Sequence, residues 1–96
     1  MPHDGKRYTT RRVQQTLQPA LQNMLWYLVE TMAVEKKSDI QVFELADNKG
    51  VLQVTHIQER PEYHELHTLP GFAPLTATVL VVDEFGHCTM MLGDEY

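Results

Sequence analysis

The sequence predicts an α+β domain in which one main amphipathic helix packs on a four- to five-stranded antiparallel, hairpin-built sheet. Three observations lead there. Apolar residues recur at steps of three and four between residues 19 and 37, the apolar period changes to two from residue 40 onward, and short glycine-containing turns cut that second stretch into returning strands. A chain of 96 residues is about one domain's worth, so residues 1–96 are read as a single domain.

The elements follow in order. Lys6 to Arg11 carries Tyr8, Thr9 and Thr10, which favour a short extended segment. A turn of helix fits around Val13–Leu17. Pro19 suits a first helical position, where its missing N–H costs nothing and its φ is already helical. From there Leu21, Met24, Leu25, Leu28 and Met32 form one apolar stripe, which Trp26, Val29 and Ala33 widen. Lys36 and Lys37 place cations where a helix C-terminus favours them, so the helix is predicted over 19–37. Residues 40–46 and 51–58 read as a hairpin around Asp47-Asn48-Lys49-Gly50, residues 63–69 as an edge strand, and residues 76–82 and 87–92 as a second hairpin around Asp83-Glu84-Phe85-Gly86. One helix covers only part of such a sheet. Either the sheet curls strongly or its other face meets a partner.

Composition narrows the function classes. Hydrophobic residues make up 43% of the chain, enough for a core, and the net charge is −5. Cys88 is the lone cysteine, so no internal disulfide or thiolate cluster is expected, as in a reducing cytosol. No apolar run approaches the roughly 20 residues that span a bilayer. The polar start, Met1-Pro2-His3-Asp4-Gly5-Lys6-Arg7, leads into no apolar run, so no secretory signal is expected. These features predict a cytoplasmic protein without a membrane partner. Lys6, Arg7, Arg11 and Arg12 lie within seven residues, whereas from Pro61 onward there are six acids and no Lys or Arg. The net field disfavours a polyanion partner, and the simpler reading sets the basic start beside the acidic end. Lys6, Arg7, Arg11 and Arg12 remain candidate contact residues, and a weak nucleic-acid contact through them is an alternative.

Several constellations invite chemistry. His64-x-x-His67, beside Glu62 and Glu65, would share a face on a helix and could then bind zinc. On a strand the two imidazoles diverge, and the strand fits better. His87-Cys88 would need to face one another to act as base and nucleophile, but adjacent strand residues face apart. Glu59-Arg60-Pro61-Glu62 reads as a solvated corner. Trp26 flanks the helix stripe and suits the core, while Tyr27 lies off it and is a candidate exposed contact. Met90 and Met91 must point to opposite faces of one strand. No phosphate loop, zinc knuckle, nucleophile elbow or dinucleotide fingerprint is present, and no cofactor or metal is expected.

Arg7-Tyr8-Thr9-Thr10-Arg11, Leu25-Trp26-Tyr27-Leu28, Gln41-Val42-Phe43-Glu44-Leu45, His56-Ile57-Gln58-Glu59-Arg60-Pro61-Glu62-Tyr63 and Thr89-Met90-Met91-Leu92 through Glu95-Tyr96 follow in this order. In them the chain resembles a small uncharacterised family of low-GC Gram-positive bacteria and their phages, domain of unknown function nine-sixty. The resemblance spans nearly the whole chain, as a full family member would. It implies a compact α+β fold and carries over no activity, cofactor or site. The expectation is a non-enzymatic protein-interaction or regulatory module, binding a protein partner or a second copy through the sheet face the helix cannot reach or through an edge of the sheet. The alternative is a small enzyme with a His/Glu site built from His56, Glu44 and His87 across adjacent strands.

Overall fold

A computed structural model describes residues 5–96, so Met1 to Asp4 of the polar start lie outside the described residues. The elements are β1 (Lys6–Thr9), α1 (Arg11–Thr16), α2 (Pro19–Thr31), β2 (Ile40–Asn48), β3 (Val51–Gln58), β4 (Tyr63–Leu69), β5 (Ala77–Glu84), β6 (His87–Leu92) and a closing 3-10 turn, Gly93–Glu95. The strands form one six-stranded sheet in the order β1-β6-β5-β2-β3-β4.

The α+β class holds, and two details of the expected sheet are corrected. There are six strands, and the sheet is mixed: β1 runs parallel to β6, from Lys6 opposite His87 to Thr9 opposite Met90. Hairpin patterning finds strands that pair with a sequence neighbour. A parallel pair joined through most of the chain leaves no local turn signal. The hairpins themselves close tightly. Lys49 and Gly50 have φ of 53° and 85°, and Phe85 and Gly86 have φ of 54° and 80°. Two positive-φ residues in a two-residue loop match the right-handed twist of the flanking strands.

The main helix α2 is joined by the short α1, close to the turn of helix expected around Val13–Leu17. Thr10 caps α1, its Oγ1 accepting from the Val13 N–H at 3.2 Å and donating to Glu95 Oε1 at 2.9 Å. Glu95 Oε1 also accepts from the Leu92 N–H, so the first helix and the closing turn are tied together. Helix α2 stops at Thr31, well short of residue 37, because the chain that follows is bound elsewhere. Gln58, buried in β3, donates through Nε2 to the carbonyls of Lys36 and Pro61 and accepts at Oε1 from the Ser38 N–H. Lys37 Nζ reaches back to the Glu30 carbonyl. These contacts outweigh the good helical propensity of Met32, Ala33, Glu35, Lys36 and Lys37, which tertiary context routinely overrides.

The core lies between the helices and one sheet face. It joins Val13, Leu17, Leu21, Leu25, Trp26, Leu28 and Val29 to Phe43, Leu45, Leu52, Val54, Val79, Val81, Cys88, Met90 and Leu92. Fully burying one such side chain contributes about 1.5–3 kcal/mol. Phe72 and Leu75, from the loop between β4 and β5, pack on its border.

Candidate interaction face

Strand alternation sorts every residue of the sheet onto one of two faces. Phe43, Val54, Val79, Val81 and Met90 turn toward the helices, so their neighbours turn away. The pairing register aligns Met91 with Leu80, Leu80 with Val42, and Val42 with Ile57. An aliphatic row thus crosses β6, β5, β2 and β3 on the outer face. Ile40 and Val82 pair beside it. Toward the hairpin loop of β2 and β3 the outer rows become mainly polar: Thr78, Glu44 and Thr55 lie abreast with Leu66 at the sheet edge, then Gln53 opposite Thr68. The apolar area is therefore bounded and placed at one end of the sheet.

That end has relief. Ser38, Ile40, Val42, Ile57 and Glu59 line a groove of ≈ 240 Å³, wide enough for an apolar side chain. Along the β1 side stand exposed aromatics. The Tyr8 ring meets the His87 ring edge-on, with centroids 5.2 Å apart. The Tyr96 hydroxyl donates to Glu84 at 3.3 Å, and the nearby carboxylate raises the tyrosine's pKa above its ordinary value, aided by partial desolvation and that hydrogen bond. Phe85, at the tip of the β5–β6 hairpin, is 93% exposed. Its positive φ is a conformation that favours Gly or Asn. Aromatic side chains at the border of an apolar area are a usual composition for a protein contact.

The residues singled out from the sequence separate. Arg7 stacks over the Trp26 ring, 4.9 Å from its centroid, and pairs with Glu30 on α2. Arg12 pairs with Asp94 at 2.8 Å, and that carboxylate holds the guanidinium pKa above its ordinary value, first by its hydrogen bond and then by its charge. The basic start and the acidic end therefore meet within one chain. Lys6 and Arg11 are exposed, which leaves a small cationic footprint. Tyr27 is 56% exposed on α2, on the helical side of the molecule and away from the outer sheet face, while Trp26 is in the core.

His56, Glu44 and His87 do not form a common site. His56 pairs opposite Phe43, and Glu44 opposite Thr55, so His56 is on the buried inner face and Glu44 on the outer one. His87 stands at the far end of β6, opposite Glu84. His64 and His67 take opposite faces of β4, as do His87 and Cys88 of β6. Among the described residues, no group of three or more His, Cys, Asp or Glu side chains converges as a metal would require. A shallow hollow of ≈ 440 Å³ beside Thr78, Leu92 and Gly93 has Asp94 as its one carboxylate, already paired with Arg12. None of the helices is long and apolar enough to cross a membrane, among the described residues.

Two features escaped the sequence. The aliphatic row is one, since its members are separated along the chain and only the register aligns them. Phe85 is the other, although an aromatic in a Glu-Phe-Gly turn was a signal. These features define an α+β protein with a helix-backed inner sheet face and an outer face that is apolar at one end. Its fold is that of a protein of unknown function from Enterococcus faecalis, known from a crystal structure: the TM-score is 0.85, with 24% identity over 97% of this chain and 92% of that one. The chain belongs to the DUF960 family, described as a Staphylococcal protein of unknown function, whose model matches residues 6–95. No curated protein matches the chain.

Proposed function

We propose that this chain is a small cytoplasmic interaction module, without catalytic activity of its own, that docks a protein partner on the outer face of its sheet. The observation that carries this is the aliphatic row Met91–Leu80–Val42–Ile57, which the register lays across four strands on the face away from both helices. Leu80 is already buried within the chain, and Met91, Val42 and Ile57 are half-buried, so a partner removes from water what remains exposed of these three, at roughly 25 cal/mol per Å². On the outer face of the strands the charged residues are Glu44 and Glu84 against Lys6, and Glu59 lines the groove, so a partner segment with an apolar anchor and flanking Lys or Arg complements it. The groove beside Ile40 and Ile57 takes the anchor. Phe85 and Tyr8 close the contact at the border. The lone buried Cys88 suits the reducing cytosol in which such a module would work.

The test compares two substitutions on the same sheet face. Val42→Asp puts a charge into the aliphatic row, and Thr68→Asp puts one into the polar row. In affinity capture from the host bacterium, the protein retained by the parent chain should also be retained by Thr68→Asp and lost with Val42→Asp. Equal retention by the two variants, with both folded by circular dichroism, would refute docking on this face.

A further inference from the structure

The two edges of the sheet are unlike. β1 is four residues long and carries Lys6 and Arg7, the short, cationic kind of edge that resists pairing with another chain. β4 is seven residues long, contains no Pro, Gly, Lys or Arg, and pairs with β3 without a break from Leu52 opposite Leu69 to Gln58 opposite Tyr63. It ends the strand order, so one side of its backbone has no strand beside it. Leu66, at its midpoint, is 55% exposed.

We propose that β4 pairs with β4 of a second copy, antiparallel about a two-fold axis through Leu66, joining the two sheets into one of twelve strands. Antiparallel pairing that keeps each side chain on its own face allows registers that differ by two residues, and charge separates them. Centring on Glu65 sets two carboxylates directly opposite one another, which is destabilising. Centring on His67 pairs two imidazoles and leaves Glu65 against an aliphatic Leu69. Centring on Leu66 engages all seven residues. Leu66 then meets Leu66 of the second copy on the outer face. On the inner face Glu65 meets His67 of the second copy twice over, and Tyr63 meets Leu69. Directly opposed side chains have Cβ atoms about 4.5–5.5 Å apart, within reach of a carboxylate–imidazole hydrogen bond. His67 has use for one, because its Nε2 is buried and has no hydrogen-bond partner among the described residues. The strand is thus self-complementary, as a two-fold contact requires. The edge contact leaves the aliphatic row on the outer face open in both copies.

Light scattering over a concentration series and disulfide trapping test this together. The parent chain should approach twice the mass of the 96-residue monomer as concentration rises. Leu66→Lys, at an exposed position that leaves the fold intact, should weaken the dimer at least tenfold, because two cations then oppose each other at the axis. Under mild oxidation Leu66→Cys should trap a covalent dimer. His64→Cys and Thr68→Cys should each fail alone but cross-link when mixed, since the register sets residue 64 opposite residue 68. Three results overturn the proposal: a monomer at all concentrations, a dimer unaffected by Leu66→Lys, or trapping by His64→Cys alone as efficient as by Leu66→Cys. A dimer lost with Val42→Asp and kept with Leu66→Lys would place the contact on the outer face and likewise overturn it.

Discussion

Nε2 of His56 lies 2.8 Å from Oε1 of Gln41, and the backbone decides which of the two donates. The Ser38 N–H can only donate, so Gln58 Oε1 is an acceptor. Gln41 Nε2 donates to that same oxygen at 2.6 Å and to the Ser38 carbonyl at 3.0 Å. Oε1 of Gln41 is left to accept, so Nε2 of His56 carries a proton and donates it to that oxygen. The ring is held between Phe43, stacked at 4.4 Å, and Tyr63, edge-on at 5.0 Å. Three buried polar residues thus clamp the chain from Lys36 to Ser38 and the Pro61 carbonyl to the end of the sheet.

Gln58→Ala removes the centre of that network, and with it the bonds from the Ser38 N–H and the Gln41 amide and those to the Lys36 and Pro61 carbonyls. Each buried unsatisfied group costs about 1–3 kcal/mol, part of which water entering the gap restores. A loss of about 2–4 kcal/mol in urea unfolding is expected. Nitrogen NMR of the parent chain should show a protonated Nε2 in His56. A loss below about 0.5 kcal/mol, as for an ordinary surface substitution, would show that the network does not hold the loop.

Tyr63 makes the stability sensitive to alkali. Its pKa is raised above the ordinary value of about 10, first by burial and second by the negative charge of Glu65. The folded state therefore holds the phenolic proton more tightly than the unfolded chain. That contribution is fully present below about pH 10 and is lost as pH rises through the folded-state pKa. Tyr63→Phe should flatten the fall in urea midpoint above about pH 10. Glu65→Gln should keep most of the fall, because burial is the larger cause. An unchanged alkaline slope in Tyr63→Phe would remove this account.

Met90 and Met91 are neighbours with opposite surroundings. Met90 is fully buried in the core beneath the helices, while Met91 faces outward opposite Leu80. Met90→Ala should cost about 2–5 kcal/mol and Met91→Ala less than about 1 kcal/mol, measured as denaturation midpoints. Similar costs at the two positions would mean that the outer face is covered as thoroughly as the inner one.

Phe85→Asn should stabilise the chain by about 1 kcal/mol, since Asn-Gly suits two positive-φ positions and a bulky side chain does not. The same substitution should weaken partner capture, because the exposed ring goes with it. A more stable protein that still binds its partner equally well would remove Phe85 from the contact.

Much of the fold was legible for a physical reason. Periods of 3.6 and 2 reflect which side of a local element meets water, so the start of α2 at Pro19, the hairpins β2–β3 and β5–β6, and the edge position of β4 were visible in residue order. The opposite facing of His64 and His67 followed from the strand period alone. The end of α2 was not legible, because the Lys36 carbonyl and Ser38 are held by Gln58, about twenty residues further along. Nor was the aliphatic row, since Met91 and Val42 are brought to the same row through a strand register that no local pattern records.

By itself the sequence determined the α+β class, the one-sided apolar stripe of the main helix, the tight turns and the uneven charge along the chain, all of them set by residues within a few positions of one another. Only the tertiary structure decided that β1 closes the sheet in parallel beside β6, that His56, Glu44 and His87 stay apart, that Arg7 and Arg12 find carboxylates, and that an apolar outer face lies beside an unprotected edge. Those outcomes depend on contacts between residues far apart in the chain, whose free energy is gained only when the whole sheet has formed.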